Sequence, residues 1–241
     1  MYERIIGQTL GQTLGKMTKL LLASASPLQY FLDSPGVTHV HCLDQAYIAL
    51  KHDGKEDIAR LFNAHHSTLT KGLYWADRGW KNVNHFYSHP DKQGIIGWPD
   101  ATAECQYYFN RAFSFSPNNI DKCMFFLGAA LHLVQDMCVP HHSLGIVFDG
   151  HKEFETWATQ NWAQFPTTRG MYLPFSHPAQ WMDYNAGVSA PLYPWVSQEA
   201  GCSEESYKRA SEILIPLTIA TSAGFLDFAC QRLDGLMLRL V

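Results

Sequence analysis

Two pairings of an imidazole with a carboxylate stand at helical spacing in the middle of the chain. His132 and Asp136 are four residues apart in Leu127-Gly128-Ala129-Ala130-Leu131-His132-Leu133-Val134-Gln135-Asp136, and His151 and Glu155 are four apart in His151-Lys152-Glu153-Phe154-Glu155. On a helix that spacing puts both side chains of a pair on one face. Asp136 is the more demanding residue, because its neighbours are apolar and an unpaired buried carboxylate is very costly. Either His132 compensates it in a hydrogen-bonded core pair, or a cation does. Pro140, His141 and His142 lie between the two pairs, and two such pairs with a further His match the nitrogen and oxygen donors that zinc accepts. Taken alone, His151 and Glu155 would read as an exposed helix pair; their neighbours weigh against that. Upstream, Asp77 closes Gly72-Leu73-Tyr74-Trp75-Ala76-Asp77 and His85 opens His85-Phe86-Tyr87 eight residues later. By itself Asp77 reads as a helix-end or turn residue before a loop containing Gly79.

The elements that must hold these side chains read as helices. Residues 44–61, 102–115, 122–139 and 203–240 repeat apolar positions at three and four, and strand signals are nearly absent. The helix of 122–139 is apolar on all sides, which predicts a central buried element, and Pro140 is expected to end it. Ser203 before Glu204 and Glu205 suits the start of the last helix, which Pro216 should kink. Residues 165–194, rich in Pro, Gly, Tyr and Trp, are expected to run irregularly across the helices. Residues 1–25 fit an amphipathic helix, a poorly ordered arm or a removable leader, and 26–241 form the expected domain. The expectation is a single compact all-α domain of some eight to ten helices, with the metal donors at one end of a cleft between the central ones.

Bulk properties narrow the classes. Hydrophobic residues make up 46% and charged residues 17% of the 241, enough apolar material for a substantial core, so disorder is excluded as the general state. A net charge of −4 argues against a strongly basic, phosphate-neutralising surface. The six cysteines, at 42, 105, 123, 138, 202 and 230, form no CxxC pair, which removes zinc-ribbon and thioredoxin-type motifs and leaves free buried thiols as the reading, with Cys123 and Cys138 on an apolar stretch. No unbroken apolar run approaches the ~18 residues of a membrane-spanning helix. Lys16 and Lys19 precede Leu20-Leu21-Leu22-Ala23-Ser24-Ala25, which ends like a leader cleavage site but is shorter than the roughly 7–15 apolar residues of an export signal.

The string from Gly72 to Asp77, the stretch His85-Phe86-Tyr87, the helix carrying His132 and Asp136, Pro140 with His142, and the spacing of His151 and Glu155 together resemble the bacterial zinc-dependent phospholipase C family, that of the phosphatidylcholine-hydrolysing enzymes and the clostridial alpha-toxin catalytic domain. The resemblance keeps its order from about residue 36 to 157. Carried onto this sequence, it implies one Zn2+ held by Asp77, His85, His132 and Asp136 and a second held by His142, His151 and Glu155. A third ion would share Asp136 and take His39, with His41 as competitor. In the family that third ion also takes the amino group and carbonyl of a mature N-terminal Trp. No Trp precedes His39 here, and cleavage after Ala25 would leave Ser26 at nearly the matching distance.

The resemblance further implies a phospholipase C that hydrolyses a glycerophospholipid to diacylglycerol and a phosphorylated head group, in transient contact with a membrane surface and outside the cell or on its surface. Asp77 would be both ligand and proton acceptor. Members that cleave phosphatidylcholine carry an aromatic residue after this Asp; here Arg78 follows, and the loop to His85 offers only Trp80. Arg78 and Trp80 are thus the candidate substrate contacts, and Arg78 favours an anionic group over choline. The other His residues at 52, 65, 66, 89 and 177 read as surface or loop residues, and His141 should point away from His142. One rival reading is a three-zinc nuclease of the S1 and P1 type, which shares the fold and would stack single-stranded nucleic acid on the aromatics of 165–195. Another is a non-catalytic, metal-stabilised module that binds lipid or a partner, against which the full donor set argues.

Overall fold

The computed structural model describes residues 36–78, 81, 84–94, 99–116 and 118–237. Residues 1–25, Ser26, Gly79 and Trp80 lie outside them. Nine α-helices run through the described residues: α1 (Val37–His52), α2 (Glu56–Ala64), α3 (His66–Ala76), α4 (Ala101–Phe115), α5 (Ile120–Asp136), α6 (Pro140–Leu144), α7 (His151–Asn161), α8 (Pro178–Ser189) and α9 (Glu204–Met237). Short 3-10 turns follow α7 and α8 at Trp162–Gln164 and Ala190–Trp195. No strand is named among the described residues.

Helix α5 is the axis of the fold. Asn119 starts it, its side chain accepting from Lys122 N at 3.0 Å, and twelve of its residues are buried, His132, Gln135 and Asp136 among them. It packs chiefly against α3 and α4, and α9 against α1. The α3–α5 crossing is unusually close because two glycines meet it. A Cβ at Gly72 would stand 2.0 Å from the Phe125 carbonyl oxygen, and one at Gly128 would stand 2.1 Å from that of Leu69. Only hydrogen at these positions lets the backbones approach, and the approach carries the end of α3, with Asp77, up to α5.

Several local expectations are corrected. The span 44–61 is not one helix: α1 begins earlier, at Val37, and stops at His52. The chain turns through Asp53 and Gly54, the latter at φ +75°, before α2. Apolar periodicity continues across a turn that an Asp-Gly pair makes easy. The central helix ends at Asp136, not at 139, and Pro140 opens α6 rather than closing α5; at a first helical position its missing N–H costs nothing. Within 165–194 the stretch from Pro178 is helical. Pro178 again stands in the first turn, and Gln180 Oε1 accepts from the backbone N–H groups of His177 and Ser176. The residues before it do run irregularly across the helices: Gly170 N and the Tyr172 hydroxyl both donate to Asp53 Oδ2, at 2.7 and 2.9 Å.

The last helix starts as expected, with Ser203 Oγ accepting from Ser206 N, and contains Pro216. It is long and apolar enough to cross a membrane, yet 83% of its apolar window is buried in the protein, as a core helix requires. No disulfide joins the cysteines among the described residues, and all but Cys202 are buried.

Candidate metal centre

Six elements bring candidate donors to and beside the Asp136 carboxylate. The i, i+3 and i+4 positions of α5 present His132, Gln135 and Asp136 on one side of the helix. Asp77 follows the last residue of α3. His85 opens an extended stretch laid along α6, where Tyr87 N and His89 N donate to the His142 and Ser143 carbonyls at 2.9 Å each. His142 lies on α6, and α7 begins with His151 and carries Glu155 one turn on. His39 comes from the first turn of α1.

The donors fall into groups. His132 Nε2 lies 3.1 Å from Asp77 Oδ1, 3.2 Å from Asp136 Oδ2 and 3.3 Å from His85 Nδ1. His85 Nδ1 lies 2.8 Å from Asp136 Oδ2 and 3.5 Å from Asp77 Oδ1. The other Asp136 oxygen, Oδ1, faces His39 Nε2 at 3.4 Å, so the carboxylate turns one oxygen to each side. In a separate group Glu155 Oε1 lies 3.0 Å from His151 Nε2 and 3.4 Å from His142 Nε2. These assemblies are His39 with His132 and Asp136, Asp77 with His85 and His132, and His142 with His151 and Glu155.

Most of the imidazoles have their outward nitrogen occupied. His85 Nε2 meets the Ala76 carbonyl at 3.2 Å, His142 Nδ1 that of His85 at 3.1 Å, and His151 Nδ1 that of Val147 at 3.4 Å. A carbonyl can only accept, so each of these nitrogens carries its proton, and in the neutral ring the opposite nitrogen then turns a lone pair inward. His132 Nδ1 has no hydrogen-bond partner among the described residues.

Zinc fits this arrangement on two observations. The lone pair of His85 Nδ1 faces carboxylate oxygens, its other nitrogen being held by the Ala76 carbonyl, and Asp136 Oδ2 is buried without an aligned hydrogen bond despite two ring nitrogens beside it; acceptors so gathered need a cation. Four ligands at 2.0–2.2 Å around a tetrahedral ion would be roughly 3.3–3.6 Å apart, and the separations above cluster near that spacing.

Charge keeps the carboxylates ionised, as ligands must be. Burial works against ionising Asp136, but His132 and His142 overcome it and hold the carboxylate well below its usual range. For Glu155 burial is likewise outweighed, by His151 and His142, and for Asp77 chiefly by His132. Burial also opposes the His132 imidazolium, yet Asp136 and Asp77 raise its pKa well above the ordinary value. His39 goes the other way, lowered by burial and by the neighbouring His132.

Other residues singled out in the sequence are placed elsewhere. His41 stacks on Trp162, ring centres 4.3 Å apart, outside the donor groups. Arg78 is exposed immediately after Asp77. His52 and His177 are exposed, His65 and His66 form the junction of α2 and α3, and His89 pairs with Asp183 at 3.1 Å. His141 does turn away from the donors: its Nε2 donates to the Asp149 carbonyl at 3.0 Å, its ring stacks on His151 at 4.8 Å, and burial pushes its pKa down to about 4. Sequence reasoning missed the frame behind this ring. Asp149, at φ +62°, accepts from the hydroxyls of Tyr193 and Ser197 and from Glu199 N, tying the loop before α7 to the turn after α8.

An all-α body thus gathers imidazoles and carboxylates from six elements into three groups that could each hold a metal ion, one carboxylate facing two sides. Residues 38–185 match the family described as zinc dependent phospholipase C, and the chain belongs to that family. Among solved structures it is similar to the alpha toxin of Clostridium absonum, with a TM-score of 0.70 and 17% identity over 82% of this chain and 64% of the toxin. It is also similar to an alpha-toxin of an avian strain of Clostridium perfringens, with a TM-score of 0.67 and 18% identity over 84% of this chain and 66% of the toxin. The chain thus spans slightly less than two thirds of either toxin, and at this identity the likeness shows the fold. No curated protein sequence matches the chain significantly.

Proposed function

We propose that the protein is a zinc-dependent phospholipase C that hydrolyses a glycerophospholipid to diacylglycerol and a phosphorylated head group. The observation that carries this reading is the convergence of three imidazole nitrogens, of His39, His85 and His132, on the buried, two-sided Asp136 carboxylate. One zinc would take Asp77, His85, His132 and Asp136, a second His142, His151 and Glu155, and a third His39 with Asp136. Zinc bound there supplies Lewis acidity for water and for phosphoryl oxygens.

The chain's own residues would then do the following. Asp77 takes the proton of the attacking water at a carboxylate oxygen. Its side chain is 32% exposed whereas those of His85, His132 and Asp136 are nearly closed off, so in that group it is the one that solvent reaches. The water oxygen bonds to phosphorus, the bond from phosphorus to the glycerol oxygen breaks, and that oxygen leaves with a proton from solvent. Arg78, with Lys81 close by and donating to its carbonyl, favours an anionic head group or the phosphate itself over choline. Trp80 is retained as a substrate contact on sequence grounds alone.

Contact with a membrane surface is supported by the loop between α6 and α7. Leu144, Ile146 and Val147 are half-buried, and Phe148, 76% exposed, projects beside the residues that anchor His151. Burying such a ring in lipid is worth about 1.5–3 kcal/mol. Exchanging Phe148 for Ser should weaken vesicle binding roughly 10- to 100-fold and leave hydrolysis of a soluble short-chain phosphodiester intact; equal binding by both proteins would remove this loop from the interface.

The nuclease reading is weakened by where its aromatic platforms go. Trp181 and Phe165 are buried and Phe175 packs against the core, which leaves Trp195, with the half-buried Tyr172, Tyr184 and Tyr193, as the segment's aromatics within reach of bases. Hydrolysis of phosphatidylcholine, anionic phospholipids and single-stranded DNA, assayed side by side on zinc-replete protein, tests the proposal. Anionic phospholipid should be cleaved fastest; cleavage of DNA alone supports the nuclease, and lipid binding with no hydrolysis supports the non-catalytic module.

A further inference from the structure

We propose that Gln135, held by Ser222, is a positioning residue that sets the His39 imidazole for the ion it would share with Asp136. The inference rests on the metal reading above and goes beyond it, because neither residue is a donor in any of the three groups.

His39 is the ligand candidate with the weakest local support. It lies in the first turn of α1, whose N-cap, Gly36, offers no side chain to secure the helix start. The rings of His85, His142 and His151 are oriented by main-chain carbonyls. That of His39 is oriented by a side chain: Gln135 Oε1 lies 2.8 Å from His39 Nδ1. On its other side the Gln135 amide donates from Nε2 to Ser222 Oγ at 3.0 Å. Gln135 and Ser222 are buried, so the relay joins α1, α5 and α9 with only its His39 end half-buried.

Its consequence is chemical as well as mechanical. An amide oxygen only accepts, so it selects the His39 tautomer protonated at Nδ1 and leaves the Nε2 lone pair facing Asp136 Oδ1, 3.4 Å away. With the amide reversed, Nδ1 would accept and Nε2–H would point at Asp136, a hydrogen-bonded pair with no room for an ion. The pull of the carboxylate favours that second state, and it is opposed by the amide orientation in which Oε1 faces His39 and Nε2 donates to Ser222 Oγ. Gln135 also interrupts an otherwise apolar helix, where an uncharged polar side chain is costly unless both ends of its amide are satisfied.

The test counts zinc per chain by mass spectrometry after equilibration at a series of buffered free-zinc concentrations. Wild type is compared with His39→Ala, Gln135→Leu, Gln135→Glu and Ser222→Ala, and folding of each is checked by circular dichroism. His39→Ala identifies the equivalent that depends on His39. Gln135→Leu should release that same equivalent at a free-zinc concentration about 10- to 100-fold higher than wild type does, keeping the others. Gln135→Glu, which can accept from His39 and from Ser222 together, should restore it, and Ser222→Ala should fall between. Zinc-loaded wild type should also show a solvent-protected Nδ1–H of His39 by nitrogen-15 correlation, absent in Gln135→Leu.

A Gln135→Leu protein that holds every equivalent as wild type does overturns the relay and leaves the metal reading standing. Parallel loss of all equivalents in Gln135→Leu and Gln135→Glu marks Gln135 as merely structural and overturns it too. A wild-type protein with no equivalent that His39→Ala removes overturns both the relay and the ion at His39. Where Gln135→Leu fails to fold, Ser222→Ala and Gln135→Glu decide by the same readouts.

Discussion

Replacing Gly128 with Ala should damage the site while sparing the fold. The added Cβ would stand 2.1 Å from the Leu69 carbonyl oxygen, against 3.4 Å or more for an ordinary contact. Backbone cannot rotate away as a side chain can, so α3 and α5 must part by roughly 1.3 Å at the crossing. Asp77 travels with α3, and its 3.1 Å approach to His132 would open beyond 4 Å if the helix moves as a rigid body, roughly 1 Å further than ligands of one ion can stand apart. Overpacking costs about 1–3 kcal/mol, against which the gain of Ala over Gly in a helix returns about 1 kcal/mol. The net loss of up to about 2 kcal/mol leaves a folded chain. A misplacement of about 1 Å can lower turnover about 100-fold. Urea unfolding, zinc content and phospholipid turnover, measured on the same preparation, check this. Turnover and zinc within threefold of wild type would refute the idea that the glycine crossing positions Asp77.

Changing Asp77 to Asn should lower turnover about 100- to 10,000-fold, the range of a lost general base, with weaker retention of one zinc; full turnover with full zinc would dismiss Asp77 from both roles. Stability should depend on pH differently with and without metal. The folded pKa values of Asp136 and Glu155 are depressed, so their contribution is present above the ordinary carboxylate range and fades as pH falls through the folded values. Those of His132 and His142 are raised, so theirs is present below about pH 6.5 and is lost as pH climbs through the folded values. Zinc-stripped protein should therefore melt highest in a window of about pH 4.5 to 6.5, whereas zinc-replete protein gains stability with pH as protons cease to compete for the ligands. Superimposable melting profiles would contradict the assignment of these groups to a metal.

What was legible in the sequence follows from which physical signals are local. A donor pair four apart on one helix declares its shared face, and an all-apolar helix declares its burial, so His132, Asp136, His151 and Glu155 could be read directly and α5 placed at the centre. Asp77, His85, His142 and His39 come from separate elements, and only an ordered resemblance linked them. Helix ends were less legible. Asp53-Gly54 and the Pro residues at 140 and 178 are turn signals, but a Pro that opens a helix looks in the sequence like one that closes it. The relay of Gln135 and Ser222 spans 87 positions, which no periodicity reports, although a lone Gln in an apolar helix was a visible sign that a partner existed. Asp149 gave no sign at all, since its role lies in closing two loops.

The central claim is that the convergence on Asp136 holds zinc, and metal content measured directly tests it. Protein purified without added metal or chelator should carry at least two zinc ions per chain by mass spectrometry, and Asp136→Ala should lose the ion held with Asp77, His85 and His132 together with any ion that depends on His39, keeping the one at His142, His151 and Glu155. A wild-type chain that folds, melts cooperatively and carries no zinc even after equilibration with excess metal would contradict it.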